Sequence, residues 1–331
     1  MMDSERPWTA YYGPQVRPAL PGPSYRTIGD LIRSVAGTFG KAPAFTVCLP
    51  NGMNGTLTFQ QVDEMSDAFA VYLREVAGLS PGDRVALQMP NCLPFPVAAF
   101  GVFKAGCVLV NVNPLYTAEE MGKQFADCRP KALVIVDMFA DKVPEATRDV
   151  SIPNVIIARI EEFMPSLPRG IVGLVQKYWD RSVKPIEISH IRLPQALAAG
   201  RAHRAAETIE VDAYHQSVQP NDVACLQYTG GTTGVSKGAM LSHANLIINM
   251  EQTMEMIVGL EKGKEVALTA LPMYHILAFT VNLLGFWWLG ARNVLIPSPR
   301  PLSNLKRAFE NYKITWMSGV NTLFNGLTNE L

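Results

Sequence analysis

The residues best suited to chemistry lie in one stretch, Tyr228-Thr229-Gly230-Gly231-Thr232-Thr233-Gly234-Val235-Ser236-Lys237-Gly238. Glycines let backbone N–H groups approach an anion closely, hydroxyls add neutral donors, and Lys237 supplies a countercharge. Upstream, Val223 to Leu226 is a short apolar run that reads as a buried strand. Downstream, Ser242 precedes Leu246, Ile247, Met250, Met254 and Ile257, the pattern of a capped amphipathic helix. The expected arrangement is strand, glycine loop, helix, wrapped around a phosphate. It is not a Walker A loop, because Lys237 follows Ser236 and precedes Gly238 instead of preceding a Ser or Thr. The competing reading is a flexible surface turn, since Gly, Thr and Ser are common in loops.

Two further places could contribute. Pro272-Met273-Tyr274-His275 puts a lone imidazole after a predicted strand, Val266 to Leu271, and before an apolar run, Ile276 to Gly290. By itself such a histidine is more often a satisfied core residue than a catalyst. Asn111 to Thr117 is a polar turn at a predicted strand's C-terminal end, where open sheets bind ligands, although Asn113-Pro114 could simply reverse the chain.

The elements that must hold these residues follow a β-α rhythm. Strands are predicted at Arg84 to Met89, Cys107 to Val112 and Ala132 to Val136, with helices at Phe95 to Ala105 and Ala118 to Cys128. Two earlier helices are expected. One carries Ile28, Leu31, Ile32 and Val35; the other opens with a Thr58/Gln61 capping box, shows Val62, Met65, Phe69, Tyr72, Leu73 and Val76 on one face, and ends at Gly78. After the glycine stretch come strands at Val266 to Leu271, Asn293 to Ile296 and Ile314 to Met317, with a helix at Leu302 to Tyr312. This predicts an α/β fold with two doubly wound, mostly parallel sheets and flanking helices. The expected division is a proline-rich arm over 1–25 with Trp8, Tyr11 and Tyr12 along the body, a first α/β subdomain over 26–150, an irregular connector over 151–220, and a second α/β subdomain over 221–331.

Composition narrows the function. A formal net charge of zero argues against a broad nucleic-acid footprint, and no nucleic-acid partner is expected. The basic strip of Arg169, Lys177, Arg181 and Lys184 reads as a solvated face. Cys48, Cys92, Cys107, Cys128 and Cys225 form no Cys-x-x-Cys pair and read as reduced thiols of a cytoplasmic protein. The run from Ile276 to Gly290 is shorter than the roughly 20 residues of a spanning helix. It reads as a buried helix, with transient peripheral membrane contact left open.

Tyr228 to Gly238, extended through Ala239-Met240-Leu241-Ser242-His243-Ala244-Asn245-Leu246, resembles the phosphate-loop signature of the adenylate-forming enzymes, which include acyl-CoA synthetases, luciferases and peptide-synthetase adenylation domains. Gly230, where many relatives carry serine, is most similar to the bacterial long-chain fatty acyl-CoA synthetases. The strings around Asn113, His275 and Gly319-Val320-Asn321 extend the resemblance, which covers nearly the whole chain.

The resemblance implies an ATP-dependent ligase acting on a fatty acid. A carboxylate resists nucleophiles, and joining it to AMP creates a good leaving group for attack by the coenzyme A thiol. Charge building on the departing pyrophosphate must then be stabilised. By resemblance, Thr232, Thr233 and the glycine amides hold pyrophosphate, Lys237 offsets its charge, and Thr229 contacts a bridging Mg2+. His275 orients the carboxylate, with Tyr274, Gly319, Val320 and Asn321 beside the acyl pocket. Ile276, Leu277 and Phe279 either line an acyl channel or form plain core. His243 is expected to be structural, at the start of the helix after the loop. The family's adenine and ribose motifs and its C-terminal lid are not found, so the chain reads as an N-terminal portion with weak or no turnover alone. The alternatives are an aryl or short-chain carboxylate–CoA ligase, and a non-catalytic nucleotide- or acyl-binding protein.

Overall fold

The computed structural model describes residues 6–174, 185–229 and 236–330. Among the described residues, twelve strands form two sheets. The smaller has five strands in the order β12-β10-β11-β1-β2: β1 (Pro43–Cys48), β2 (Asn54–Thr58), β10 (Val266–Thr269), β11 (Arg292–Leu295) and β12 (Trp316–Met317). The larger has seven in the order β7-β6-β5-β3-β4-β8-β9: β3 (Arg84–Gln88), β4 (Val108–Asn111), β5 (Ala132–Val136), β6 (Asn154–Ala158), β7 (Ile191–Arg192), β8 (Val223–Thr229) and β9 (Lys237–Ser242). Among the described strands only β1–β2 and β8–β9 pair antiparallel, so both sheets are mixed but mostly parallel. The sheets interleave in sequence: β1 and β2 join the late strands, while β8 and β9 join the early ones.

Nine α-helices precede residue 260 among the described residues: α1 (Ile28–Phe39), α2 (Phe59–Val71), α3 (Pro94–Lys104), α4 (Ala118–Cys128), α5 (Val143–Ala146), α6 (Ser166–Leu174), α7 (Leu193–Glu207), α8 (Asp212–Gln216) and α9 (His243–Met256). Capping starts several of them where the sequence says it should. Thr58 with Gln61, and Ser242 with Asn245, form reciprocal capping boxes, as do Thr27 with Asp30 and Thr117 with Glu120. The helix after Thr58 continues from α2 into a π-helical turn, Tyr72–Val76, and Val76 is exposed instead of buried. The segment 151–220, read from sequence as irregular, contains β6, β7 and the helices α6, α7 and α8.

On the larger sheet, Met121 and Phe125 of α4 and Val143 and Ala146 of α5 cover one face. The other face shares one core with the smaller sheet. At its centre Trp287 stacks with Phe45 of β1 (ring centroids 5.8 Å apart) and meets Phe59 of α2 (4.6 Å) and Phe100 of α3 (4.8 Å). Trp287 belongs to a helical segment over 276–288, interrupted by a π-helical turn at Phe279–Gly285. No helix among the described residues is long and apolar enough to cross a membrane. The N-terminal arm is clamped to α9: Arg17 forks onto Glu255 at 3.0 and 2.8 Å, and the Ser24 N–H donates to Glu251 at 2.8 Å. Of the arm's aromatics, Trp8 and Tyr12 line a cavity against α9, whereas Tyr11 points into solvent, 90% exposed.

Candidate functional site

The described ends of the glycine stretch belong to two paired strands. β8 leads into it and β9 leaves it antiparallel, in a register that pairs Tyr228 with Gly238 and Thr229 with Lys237. This corrects the expectation of a loop passing straight into a helix: β9 intervenes, and α9 starts only at His243. β9 escaped sequence reading because it is an edge strand with little buried surface, Met240 being 72% exposed, and so shows no apolar alternation.

Gly230, Gly231, Thr232, Thr233, Gly234 and Val235 lie outside the described residues. The root of the hairpin is well defined. The Ser236 hydroxyl donates to the Thr229 carbonyl at 2.8 Å, closing the two strands below the tip. The Tyr228 hydroxyl donates to Asp127 at the end of α4, and its ring lies against Gly238, where a Cβ would come within 2.9 Å of the ring. Burial, then the bond to Asp127, raises the Tyr228 pKa, so the phenol stays protonated as that donor. Gly238 is thus needed for close approach. Thr229 and Lys237 are both exposed.

His275 follows β10 through a tight turn in which its N–H donates to the Pro272 carbonyl at 3.0 Å. Its ring lies 4.6 Å from that of Tyr274. Partial burial lowers its pKa below the ordinary histidine value, which keeps the imidazole neutral at pH 7. Such a ring can donate a hydrogen bond to a carboxylate without carrying charge. Ile276 and Leu277 are exposed, 40% and 49%, whereas Phe279 is fully buried, so the first two face open space and the third is core.

Residues the sequence reading passed over bring these segments together. Gln227, on the hairpin strand β8, donates to the Tyr274 carbonyl at 3.1 Å and accepts from Asn111 of β4 at 3.0 Å. Asn282, fully buried in the π-helical turn after His275, donates to Thr269 at 3.0 Å and accepts from Ser318 at 2.7 Å. Ser318 immediately precedes Gly319, Val320 and Asn321, which open the helix Asn321–Glu330; Val320 is 48% exposed. The hairpin root, the His275 turn and the 318–321 segment therefore meet at the C-terminal ends of parallel strands. A lone Asn in the apolar run Ile276 to Gly290 was the available signal.

The turn at 111–117 accounts for itself: Asn113 accepts the Leu115 N–H at 3.0 Å, and Lys142 caps the Tyr116 carbonyl at 2.7 Å. No cluster of three His, Cys, Asp or Glu among the described residues could hold a metal by itself. A cavity of about 720 Å³ lies between the arm and α9, lined by Trp8, Tyr12, Arg17 and Glu251 among others, and none of the candidate residues borders it.

His243 proves structural, as expected. It is buried, and its Nδ1 accepts the Ile28 N–H at 3.2 Å, satisfying a donor at the start of α1. Burial pushes its pKa down to about 4, despite the opposing pull of Asp222 and Asp30. Because the folded value lies below the roughly 6.5 of an unfolded histidine, the unfolded state binds the extra proton. Stability then falls as pH drops from about 6.5 through 4, by on the order of 3 kcal/mol from this group. Urea unfolding of His243→Gln and the parent at pH 7 and pH 4 should show that difference narrowing, with the variant losing less on acidification.

Residues 32–331 match the AMP-binding enzyme family. The chain is 40% identical to a long-chain-fatty-acid–CoA ligase of Salmonella typhimurium over 97% of its own length and 55% of the relative's. It is 38% identical to the enzyme of that name from Yersinia pestis, over 98% of this chain and 56% of the relative. It thus spans about half the length of these curated relatives. Among solved structures, a long-chain-fatty-acid–CoA ligase from Archaeoglobus fulgidus superposes with a TM-score of 0.72 at 20% identity, covering 95% of this chain and 56% of that one. An anthranilate CoA ligase bound to anthranoyl-AMP gives 0.74 at 17% identity, over 92% and 51%. These two show a shared fold. With a family match over nearly all its residues, the chain belongs to the AMP-binding enzymes.

Proposed function

We propose that this chain carries the phosphate-binding and carboxylate-orienting parts of an ATP-dependent long-chain fatty acyl-CoA ligase. The reading rests on one observation above the others: the hairpin root, the His275 turn and the 318–321 segment are bonded to one another through Gln227 and Asn282. ATP binds with its β and γ phosphates in the glycine hairpin, where amides, Thr232, Thr233 and Lys237 stabilise the departing pyrophosphate. The neutral His275 imidazole orients the fatty carboxylate for attack on the α phosphate. Val320, with Ile276 and Leu277, borders the acyl chain. A magnesium ion, when bound, would neutralise charge across the phosphates; the exposed hydroxyl of Thr229 suits an ion that keeps most of its water and phosphate ligands.

Cytoplasmic location with transient membrane contact belongs to the same proposal. Its support is the five free, buried cysteines and the exposed stripe of Leu167, Ile171 and Leu174 along α6, with Arg169 exposed on the same helix.

The test has two arms. Calorimetry of ATP with the 331-residue chain should show Lys237→Ala weakening binding about tenfold to a hundredfold, the worth of a charge-assisted contact. Equal affinity would remove Lys237 from the site. Radiolabelled pyrophosphate exchange, on the gene product that contains this chain, should proceed with palmitate. Exchange with benzoate or acetate but not palmitate points to an aryl or short-chain ligase, and nucleotide binding with no exchange to a non-catalytic binding protein.

A further inference from the structure

The turn that carries His275 leaves the smaller sheet, yet its backbone is held by the larger one. Asn91 lies between β3 and α3 and is 3% exposed. Its amide nitrogen donates to the carbonyls of Thr269 and Leu271 at 3.0 and 2.9 Å, and its oxygen accepts the Met273 N–H at 2.8 Å. Gln227, 6% exposed, then takes the Tyr274 carbonyl. Four backbone groups between 269 and 274 are thus pinned by two side-chain amides from the other sheet. Apolar side chains would bury the turn equally well but would not fix its position, because hydrophobic contact has no direction whereas hydrogen bonds do.

We infer that Asn91 and Gln227 are positioning residues, setting where the His275 imidazole stands relative to the hairpin that bears Lys237. The inference deepens the ligase reading and rests on it. Gln227 is the more telling of the two. It lies on the hairpin strand itself, two residues before Thr229, so one side chain couples the phosphate loop to the carboxylate-orienting turn. Asn111 holds that side chain in place by donating to its oxygen. The arrangement also accounts for two buried amides at a sheet-to-sheet junction where apolar residues would cost nothing in desolvation.

A purely structural role would alter stability alone; a positioning role must also move the imidazole. The experiment follows the His275 ring by NMR through a pH titration of the 331-residue chain, assigned with His275→Ala, in the parent, Asn91→Ala and Gln227→Leu. Partial burial holds the parent ring below the ordinary histidine value. Both variants should raise its midpoint while leaving the other histidines unmoved. In the gene product that contains this chain, affinity for palmitoyl-sulfamoyl adenosine, a non-hydrolysable acyl-adenylate, should fall about tenfold, with ATP affinity held within about twofold. If Asn91→Ala does not fold, Gln227→Leu, which removes a single donor to the turn, carries the test. An unmoved His275 midpoint in the folded variants overturns the proposal, and so does a moved midpoint with unchanged adenylate affinity. If the gene product that contains this chain does not bind the adenylate, the ligase reading fails, and the ring titration still decides whether these amides position His275.

Discussion

Lys104→Met should lower the unfolding free energy by about 3–5 kcal/mol, the usual cost of stranding a buried charge. Lys104, the last residue of α3, is fully buried, and its ammonium donates to the Asp63 carbonyl at 2.9 Å, to the Asp63 carboxylate at 2.6 Å and to Asp67 at 2.7 Å. Asp67 also receives Arg33 at 2.8 Å and Arg204 at 3.1 Å. Burial by itself would raise the Asp67 pKa; the charges of Lys104 and Arg33 outweigh it and lower the pKa. Removing the ammonium leaves the carboxylates on α2 to the partly exposed Arg33 and Arg204. Urea unfolding at pH 7 measures the loss. A double variant that also carries Asp67→Asn should recover a clear part of it, because the stranded charge goes with the cation. A loss under about 1 kcal/mol would mean that Arg33 and Arg204 suffice by themselves.

Gly200→Ala should be comparably damaging, at about 3 kcal/mol or more. Gly200 lies on α7 where that helix crosses α2, and a Cβ there would stand 1.9 Å from the Ala68 carbonyl oxygen and 3.0 Å from the Tyr72 nitrogen. Both are backbone atoms, so no side chain can rotate away. At this point α2 passes into its π-helical turn, and the Tyr72 N–H is shared between the carbonyls of Ala68 and Phe69. The helices would have to part, breaking the Arg204–Asp67 contact as well. In an ordinary exposed helix the same change would stabilise by up to about 1 kcal/mol, so chemical denaturation gives even the sign of the effect.

Elements with a strong local period were legible. The helix over 28–39 and the strands at 84–88, 108–111 and 132–136 stand close to where periodicity put them. The strands that escaped are those whose residues show no local pattern. β1 contains Pro43 and is buried on both faces, so it alternates with nothing; β6 follows Pro153 in a stretch broken by prolines. α7 is rich in Ala and Arg and buries only Leu193, Ala196, Leu197 and Gly200, too narrow a stripe to announce itself. The glycine stretch and His275 were legible by their residue types. What was not legible was the polar framework between them, because Asn91, Gln227 and Asn282 have no neighbours in sequence that would give them meaning. Their partners are brought up by the interleaving of the two sheets.

That interleaving sets the order in which the polypeptide can mature. β1 pairs with β2 close by, but its other edge waits for β11, the register joining Phe45 to Asn293. At roughly 5–20 residues per second a ribosome needs tens of seconds to bridge that gap. Through that interval the early ribbon, with Phe45 and Val47 ready for burial, has neither its partner strand nor Trp287 to cover it. The nascent chain therefore offers a sticky, half-paired edge during synthesis, the kind of surface that holdase chaperones shield until the last strands emerge.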